Sequence, residues 1–187
     1  MADTNAKVRV KRAEETGKIL GKDVLCYLNY GTGATYDKPV WALFGAQTSG
    51  DYDESADSID ATDKNSGGYG ETLTGNISSE LDLECIRSKN NDAIEQLRKA
   101  MHAHEQVDIV RFNKTDGTAI RNWYSLTDFK ESAPHDDLAT VSITLNGCGK
   151  PLRYSGLTTV DDIATATPES DDAAAGSTLV TKSTQGA

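Results

Sequence analysis

Core-forming residues are unevenly distributed along this 187-residue chain, which limits where a folded domain can lie. Of its 35 Leu, Ile, Val and Phe residues, 25 fall in residues 19–49 and 77–145, which together span 100 residues. The other 87 residues contain only 10. The denser part can bury one core of ordinary domain size, whereas the rest has too little apolar surface to offset the entropy lost on ordering. We therefore expect one domain with long polar arms.

An alternation of apolar and polar residues over 77–85 is the clearest periodicity in the chain. One face carries Ile77, Leu81, Leu83 and Cys85, and the other carries Ser78, Glu80, Asp82 and Glu84. A period of two predicts a half-buried strand. Shorter apolar or alternating runs predict further strands over 24–30, 39–44, 107–112, 118–126 and 138–146. We expect the last of these to end at Gly147-Cys-Gly149.

One helix is predicted over residues 92–105. Asp92 followed by Glu95 resembles a capping box, and Ile94, Leu97 and Met101 form a one-sided apolar stripe. A helix with a single apolar face should pack on a sheet. We therefore predict a single, mainly β domain over 1–187, with an N-terminal arm 1–18, a β core 19–155 and a C-terminal arm 156–187.

Residues 50–76 differ in character from the predicted strands around them. Only Ile59 and Leu73 come from the core-forming set, and residues 51–63 alone contain six acidic residues among Ser, Gly and Thr. These acidic residues are Asp51, Asp53, Glu54, Asp57, Asp60 and Asp63. We expect a long acidic surface loop, with a protruding hairpin as the alternative form. Loops of that length in compact domains usually have a function.

Charge and composition exclude several classes of protein. The net charge of −10 and the pI near 4.7 argue against a nucleic-acid clamp, which gains affinity by neutralising phosphates. No run approaches the length of a membrane helix, and the N-terminus lacks an apolar signal core. Three cysteines without a C-x-x-C motif indicate neither a zinc cage nor a disulfide framework. We expect reduced, buried thiols and synthesis in a cytoplasm.

The motifs that could carry catalysis or bind a cofactor fail on spacing or context. His102 and His104 point about 200° apart on a helix, whereas zinc proteases use an i, i+4 pair. The calcium-like run from Asp51 has Ala56 where the loop requires glycine. Gly31-Thr-Gly33 is followed by Tyr36 rather than by a third glycine. We therefore predict no catalytic residue, no metal, no cofactor and no enzymatic activity.

The order of elements resembles the major tail tube proteins of long-tailed, non-contractile bacteriophages. The resemblance covers roughly residues 20–150 and follows 60–75, the alternating strand to Cys85, the helix 92–105, the strand pair around Asp116-Gly117, and 139–149. It implies a β-sandwich or barrel-like fold with one flanking helix, a long acidic loop and extended arms. It also implies a structural virion protein whose hexameric rings stack into a tail tube for DNA ejection.

The resemblance further implies the partners and location of the protein. The partners would be other copies of this chain, a tape measure protein, and tail tip and tail terminator proteins. Double-stranded DNA would pass through without specific binding, and no membrane segment is involved. The protein would be assembled in the host cytoplasm and reside in the virion tail.

Two sets of residues are candidates for this role. If the polar face of strand 77–85 lines the ring, its lumen residues are Glu80, Asp82 and Glu84, which would repel DNA. The alternative is an outward, solvated sheet face. The basic arm, with Lys7, Arg9, Lys11 and Arg12, is the candidate partner for the acidic residues of loop 50–63 in the next ring. Those acidic residues are Asp51, Asp53, Glu54, Asp57, Asp60 and Asp63; the alternative is two unrelated solvated tails.

Two other functions fit parts of the pattern. A type VI secretion or contractile-tail tube protein would share the fold and the ring symmetry. A small β-rich adhesin or carbohydrate-binding module would use Trp41, Trp123 and Tyr124 as an exposed platform. Both tryptophans lie in apolar strand segments, which favours a place in the core.

Overall fold

The computed structural model of the chain describes residues 18–64, 67–89 and 91–170. Seven strands in this part of the chain form one sheet with the order β2-β1-β5-β6-β7-β4-β3, and every neighbouring pair is antiparallel. The strands are β1 Val24–Asn29, β2 Trp41–Leu43, β3 Gln47–Asp60, β4 Thr72–Ile86, β5 Val107–Asn113, β6 Thr118–Ser132 and β7 Thr140–Tyr154. The helix α1 spans Asp92–Ala103, and short 3-10 helices span Gly21–Asp23 and Val160–Ala164. The predicted mainly β fold with one helix is confirmed.

The sheet curls so that its last strand, β3, approaches β1 and β5. The Gln47 side chain accepts a hydrogen bond from the backbone N–H of Cys26 (2.9 Å) and donates one to the Cys26 carbonyl (2.9 Å). Arg111 Nε donates to the carbonyl of Gly50 (3.1 Å). A Cβ on Gly50 would lie 3.2 Å from Cys26 Sγ, so the absent side chain permits this close approach. These contacts give the sheet its barrel-like shape.

The main core lies inside the curl, between α1 and the inner face of the sheet. Leu81, Leu83 and Cys85 of β4 are buried there with Ile94 and Leu97 of α1. The predicted alternation is therefore confirmed for these three β4 residues. Ile77 is 72% exposed, because it lies beyond the part of β4 that pairs with β7.

The start of α1 differs from the expected capping box. The N-cap residue is Asn91, and its side chain makes no capping hydrogen bond. The Glu95 carboxylate instead forms ion pairs with Arg87 (2.7 Å) and Arg98 (2.8 Å). The helix ends at Ala103, followed by His104 in the left-handed conformation (φ 56°). It therefore ends two residues before the predicted boundary.

Residues 50–76, expected to be a loop or a protruding hairpin, form the hairpin. Strands β3 and β4 pair from Gln47↔Cys85 to Asp60↔Thr72, with irregularities near Thr48 and Asp57. The prediction of a loop was wrong because both faces of the outer half of this hairpin are exposed, which removes the polar–apolar alternation. Cross-strand hydrogen bonds support these polar strands instead.

Strand β7 continues past Gly147-Cys-Gly149, where we expected it to end. A Cβ on Gly147 would lie 2.0 Å from Ser79 Oγ and 2.9 Å from Asn122 Nδ2. Glycine is therefore needed here to bring three strands together, not to stop β7. The strand pairs with β6 as far as Tyr154↔Ala119.

Candidate functional surface

The outer face of the sheet, opposite α1, is divided into a covered and an open part. On the covered part, Val110, Phe112 and Tyr154 are buried beneath Leu157 and Ile163 from the segment after β7. This segment belongs to the predicted C-terminal arm, whose described residues up to Ser170 therefore pack partly on the sheet. The covered part forms a second, smaller core.

The loop between β1 and β2 closes the covered part over a buried ion pair. Arg121 Nε donates to Asp108 Oδ1 (2.9 Å), and Asn29 Nδ2 donates to Asp108 Oδ2 (2.8 Å). Arg121 Nη2 also donates to the Tyr36 carbonyl (2.8 Å), and the guanidinium carbon lies 3.8 Å from the Tyr36 ring centroid. Tyr36 stacks on Trp123 with the ring centroids 5.5 Å apart. The loop is thus held by both polar and aromatic contacts.

The open part of the outer face is formed by β3, β4, β7 and one end of β6. The register places Asp51 opposite Asp82, Asp53 opposite Glu80, and Asp128 opposite Thr144, which itself pairs with Asp82. The acidic face, as we call it, contains six carboxylates and one ammonium group. They belong to Asp51, Asp53, Glu80, Asp82, Glu84, Asp128 and Lys130.

Neutral polar groups support the carboxylates of the acidic face. Thr144 Oγ1 donates to Asp82 Oδ1 (2.7 Å), and Ser49 Oγ donates to Asp51 Oδ2 (2.6 Å). No ion pair within the described residues involves any of the six carboxylates. Like charges directly opposite each other on neighbouring strands are destabilising. The face therefore retains a strong negative charge that does not serve the stability of the subunit.

The structure divides the predicted site residues into groups. Glu80, Asp82 and Glu84 lie together on the acidic face, and Asp51 and Asp53, predicted as inter-ring contacts, share that face with them. The other acidic candidates lie elsewhere. Glu54 is on the opposite face, where it pairs with Arg153 (2.6 Å), and Asp57, Asp60 and Asp63 lie in the outer hairpin or its connecting loop. Lys7, Arg9, Lys11 and Arg12 fall outside the described residues.

Asp128 and Lys130 were missed by the sequence reasoning. The apolar run of β6 ends at Leu126, but the strand continues to Ser132 after an irregularity between Leu126 and Asp128. That irregularity brings Asp128 onto the face of its partner Thr144. Its only sequence signal is the alternation of Asp128, Phe129 and Lys130, which is too short to stand out.

Two unpaired strand edges border the acidic face. Within the described residues, β3 pairs with β4 alone and is the last strand of the sheet. On the opposite side, β5 pairs with β6 only as far as Val107↔Tyr124, so residues 125–132 of β6 pair with β7 alone. Unpaired edges present backbone groups that can pair with another chain.

The other candidate groups do not assemble a site in the described residues. No group of three or more His, Cys, Asp or Glu side chains in 18–64, 67–89 and 91–170 could hold a metal ion. The described chain also contains no helix of the length and apolar character needed to cross a membrane. Tyr124 is 1% exposed and Trp41 is partly buried, so the three-residue aromatic platform of an adhesin is not formed.

The thiols of Cys26 and Cys85 are buried, as expected, whereas Cys148 is half-buried. Burial raises the pKa of Cys26 to about 12 and that of Cys85 to about 11. Both core thiols therefore remain protonated at neutral pH. Such thiols behave as small apolar groups and are poor nucleophiles.

The fold and its open charged face define a class of small, barrel-like β proteins with one flanking helix. Within this class, the chain belongs to the phage tail tube protein family, whose model matches residues 18–153. A comparison with curated proteins gives no match. The tail tube resemblance and the structural role that it implies are thereby confirmed.

Solved structures show the same fold in two tail assemblies and in one contractile injection system. A chain of the tail of an empty gene transfer agent (GTA) particle, refined with C6 symmetry, is 16% identical with a TM-score of 0.61, covering 72% of this chain and 97% of that chain. The SPP1 tail tube is 14% identical with a TM-score of 0.63, covering 80% and 87%. The sheath–tube complex of an extracellular contractile injection system is 15% identical with a TM-score of 0.54, covering 75% and 94%. At sequence identities this low, the similarity shows a shared fold only.

Proposed function

We propose that six copies of this chain close into a ring and that these rings stack into a tail tube whose lumen is lined by the acidic face. DNA leaves the virion through this lumen. The observation that carries the proposal is that the acidic face lies between two unpaired strand edges of one sheet. The assigned role is structural, with no catalytic step.

Ring closure follows from the position of the two edges. The free edge of β3 in one subunit would lie beside residues 125–132 of β6 in its neighbour, so each subunit offers two different surfaces. A contact between two different surfaces is heterologous. It closes a ring when the rotation from one subunit to the next is a whole-number fraction of 360°. The C6 symmetry of the GTA tail, which shares the fold, supports six as the number of subunits.

The charge of the acidic face suits a conduit for DNA. Duplex DNA carries one negative charge about every 1.7 Å of its axis. Six carboxylates and one lysine per subunit give the wall the same sign as the phosphates, so DNA is repelled from the wall rather than retained. Glu80, Asp82 and Glu84 are the proposed lumen residues, and Asp51, Asp53 and Asp128 extend the set.

Stacking of the rings would use surfaces away from the acidic face. The outer half of the β3–β4 hairpin exposes Ile59 (53%) and Leu73 (54%), which pair directly across the two strands, beside its acidic residues. Exposed aliphatic groups that cluster on a protruding element favour a protein interface. The proposed partner of the acidic residues remains the basic N-terminal arm of a subunit in the next ring, through several weak ion pairs.

The remaining assembly partners follow from the tail role. Tape measure, tail tip and tail terminator proteins would contact the inside and the two ends of the tube. Assembly would take place in the host cytoplasm before the tail joins the virion. A contractile-system tube is the second candidate, since the contractile injection system has the same fold.

The lumen assignment is tested by reversing charge on the acidic face. Glu80→Lys/Asp82→Lys particles should form tubes, seen by negative-stain microscopy, but eject DNA more slowly than wild type. The matched control is Glu105→Lys/Asp136→Lys, which makes the same charge change at exposed positions outside that face. Normal ejection by the first variant would exclude the lumen assignment. A purified protein that stays monomeric at high concentration, with no rings or tubes, would contradict the tube itself.

A further inference from the structure

A cleft opens where β4 and β7 separate. The two strands pair from Ile86↔Thr140 to Glu80↔Asn146, and beyond that point β4 continues as part of the hairpin while β7 follows β6. The cleft has a volume of about 720 Å³. Its walls include Gly75, Ile77 and Ser79 from β4 and Gly149, Pro151 and Arg153 from β7.

The separation of the strands has a local cause. Ser79 and Asn122 are buried next to Gly147, and Asn122 Nδ2 donates to the Gly149 carbonyl (3.3 Å). These side chains occupy the space at which the β4–β7 ladder would otherwise continue. Both strands are left with unpaired edges that face one cleft, and Pro151, which has no N–H, lies in the wall of that cleft.

The described chain ends at this cleft. After the short helix Val160–Ala164 on the outer face, the backbone N–H of Glu169 donates to the carbonyl oxygen of Arg153 (2.8 Å). Arg153 lies beyond the end of the β4–β7 pairing and lines the cleft. The segment after β7 therefore forms a backbone hydrogen bond to β7 in the part of that strand that does not pair with β4.

We infer that residues 171–187 of the same chain occupy the cleft and pair with the free edge of β4. At about 3.3 Å per residue, these 17 residues could extend about 55 Å, well beyond the roughly 26 Å of the eight outer residues 72–79 of β4. Because the occupant belongs to the same chain, the cleft can be filled before any ring assembles. The occupant covers an edge that would otherwise be open to pairing with other chains.

The chemistry of the segment complements the cleft. The cleft pairs its own charges, since Arg153 Nη2 donates to Glu54 Oε2 (2.6 Å) and both side chains line it. The segment supplies aliphatic groups instead: Leu179 and Val180 are its two strong core formers, and threonines flank them, a composition that favours strands. These two aliphatic side chains would cover Ile77, whose side chain is 72% exposed in the cleft.

Disulfide trapping in the full-length chain tests whether residues 171–187 occupy the cleft. With Cys148→Ser in the background, Ile77→Cys/Val180→Cys should form a disulfide within one chain, detected by non-reducing electrophoresis and peptide mass. The matched control is Leu138→Cys/Val180→Cys, since Leu138 is also exposed (61%) but precedes the opposite end of β7. Trapping no greater than in the control would overturn the inference. Disulfides mainly between chains would also overturn it, assigning the cleft to a neighbouring copy.

Hydrogen exchange supplies a second measurement that needs no introduced thiol. Leu179→Asp/Val180→Asp should speed amide exchange in residues 72–79 by at least about 10-fold, because protected edge amides become open to water. Thr184→Asp/Gln185→Asp makes the same charge change outside the aliphatic pair and should leave that exchange unchanged. Strand β5 reports whether the fold is intact in both variants. Equal exchange over 72–79 in all three proteins would contradict the inference, whether or not tubes form.

Discussion

Arg121 and Asp108 form an ion pair whose side chains are only 4% and 3% exposed. They lie on neighbouring strands beneath the loop that contains Tyr36, and Asn29 supplies a further hydrogen bond to the carboxylate. A buried pair of this kind costs desolvation free energy when it forms, but losing one partner leaves a buried charge uncompensated. The pair therefore ties the β1–β2 loop to the sheet.

Asp108→Asn should destabilise the subunit by about 3–5 kcal/mol, because the guanidinium remains buried without its counter-charge. Urea denaturation followed by tryptophan fluorescence would measure the change, since Trp41 and Trp123 lie close to the pair. Glu95→Gln, which breaks a more exposed ion-pair cluster, should destabilise the subunit much less. Equal losses in the two variants would show that burial of the Arg121 pair has no special effect.

Gly147→Ala should destabilise the subunit by about 1–3 kcal/mol, because its Cβ would overlap Ser79 Oγ and approach Asn122 Nδ2. Adding Ser79→Ala removes the closest atom and should recover part of the loss. Gly21→Ala is the matched control, since a Cβ at Gly21 has no neighbour within 4 Å. A double-mutant cycle from denaturation curves gives the coupling. Strict additivity of the two changes would contradict the proposed overlap.

Strands with one buried face were predictable from the sequence, and strands with two exposed faces were not. Leu81, Leu83 and Cys85 alternate with polar residues because the core requires it, so β4 was recognised there. The outer β3–β4 hairpin has no such requirement, and its polar residues resemble a loop. Sequence alone also could not place Asp51 opposite Asp82 or Asp128 opposite Thr144, because those pairings depend on strand register and on an irregularity in β6.

The Arg87–Glu95–Arg98 cluster should make stability depend on pH in the acidic range. Hydrogen bonds from Arg87 and then Arg98 lower the pKa of Glu95. A lowered folded-state pKa contributes stability that is complete above the unfolded value of about 4.3 and is lost as the pH falls through the folded value. The Tm difference between wild type and Glu95→Gln should therefore shrink as the pH falls below about 4. A Tm difference that stays constant down to pH 2 would contradict the linkage.

Thiol labelling should distinguish Cys148 from the two core cysteines. At pH 8 in native buffer, Ellman's reagent should react with Cys148, while Cys26 and Cys85 stay unreactive because they are buried and their pKa values are raised. In denaturant all three should react. Cys148→Ser should abolish native labelling on the same timescale. Fast native reaction of two or more thiols would show that the main core opens readily.

Asp53 and Glu80 oppose each other on the acidic face, so the subunit should become more stable when one of them is neutralised. Asp53→Asn should add about 0.2–1 kcal/mol at low ionic strength, and the gain should fall in 1 M salt, where screening shortens the range of repulsion. Asp57→Asn is the control, since Asp57 lies in the hairpin at an irregularity without a directly paired carboxylate. Urea denaturation at the two salt concentrations measures both. A gain for Asp53→Asn would mean that the negative face is retained at the expense of subunit stability, as expected if it serves DNA passage; a loss would mean that the repulsion has been offset within the subunit.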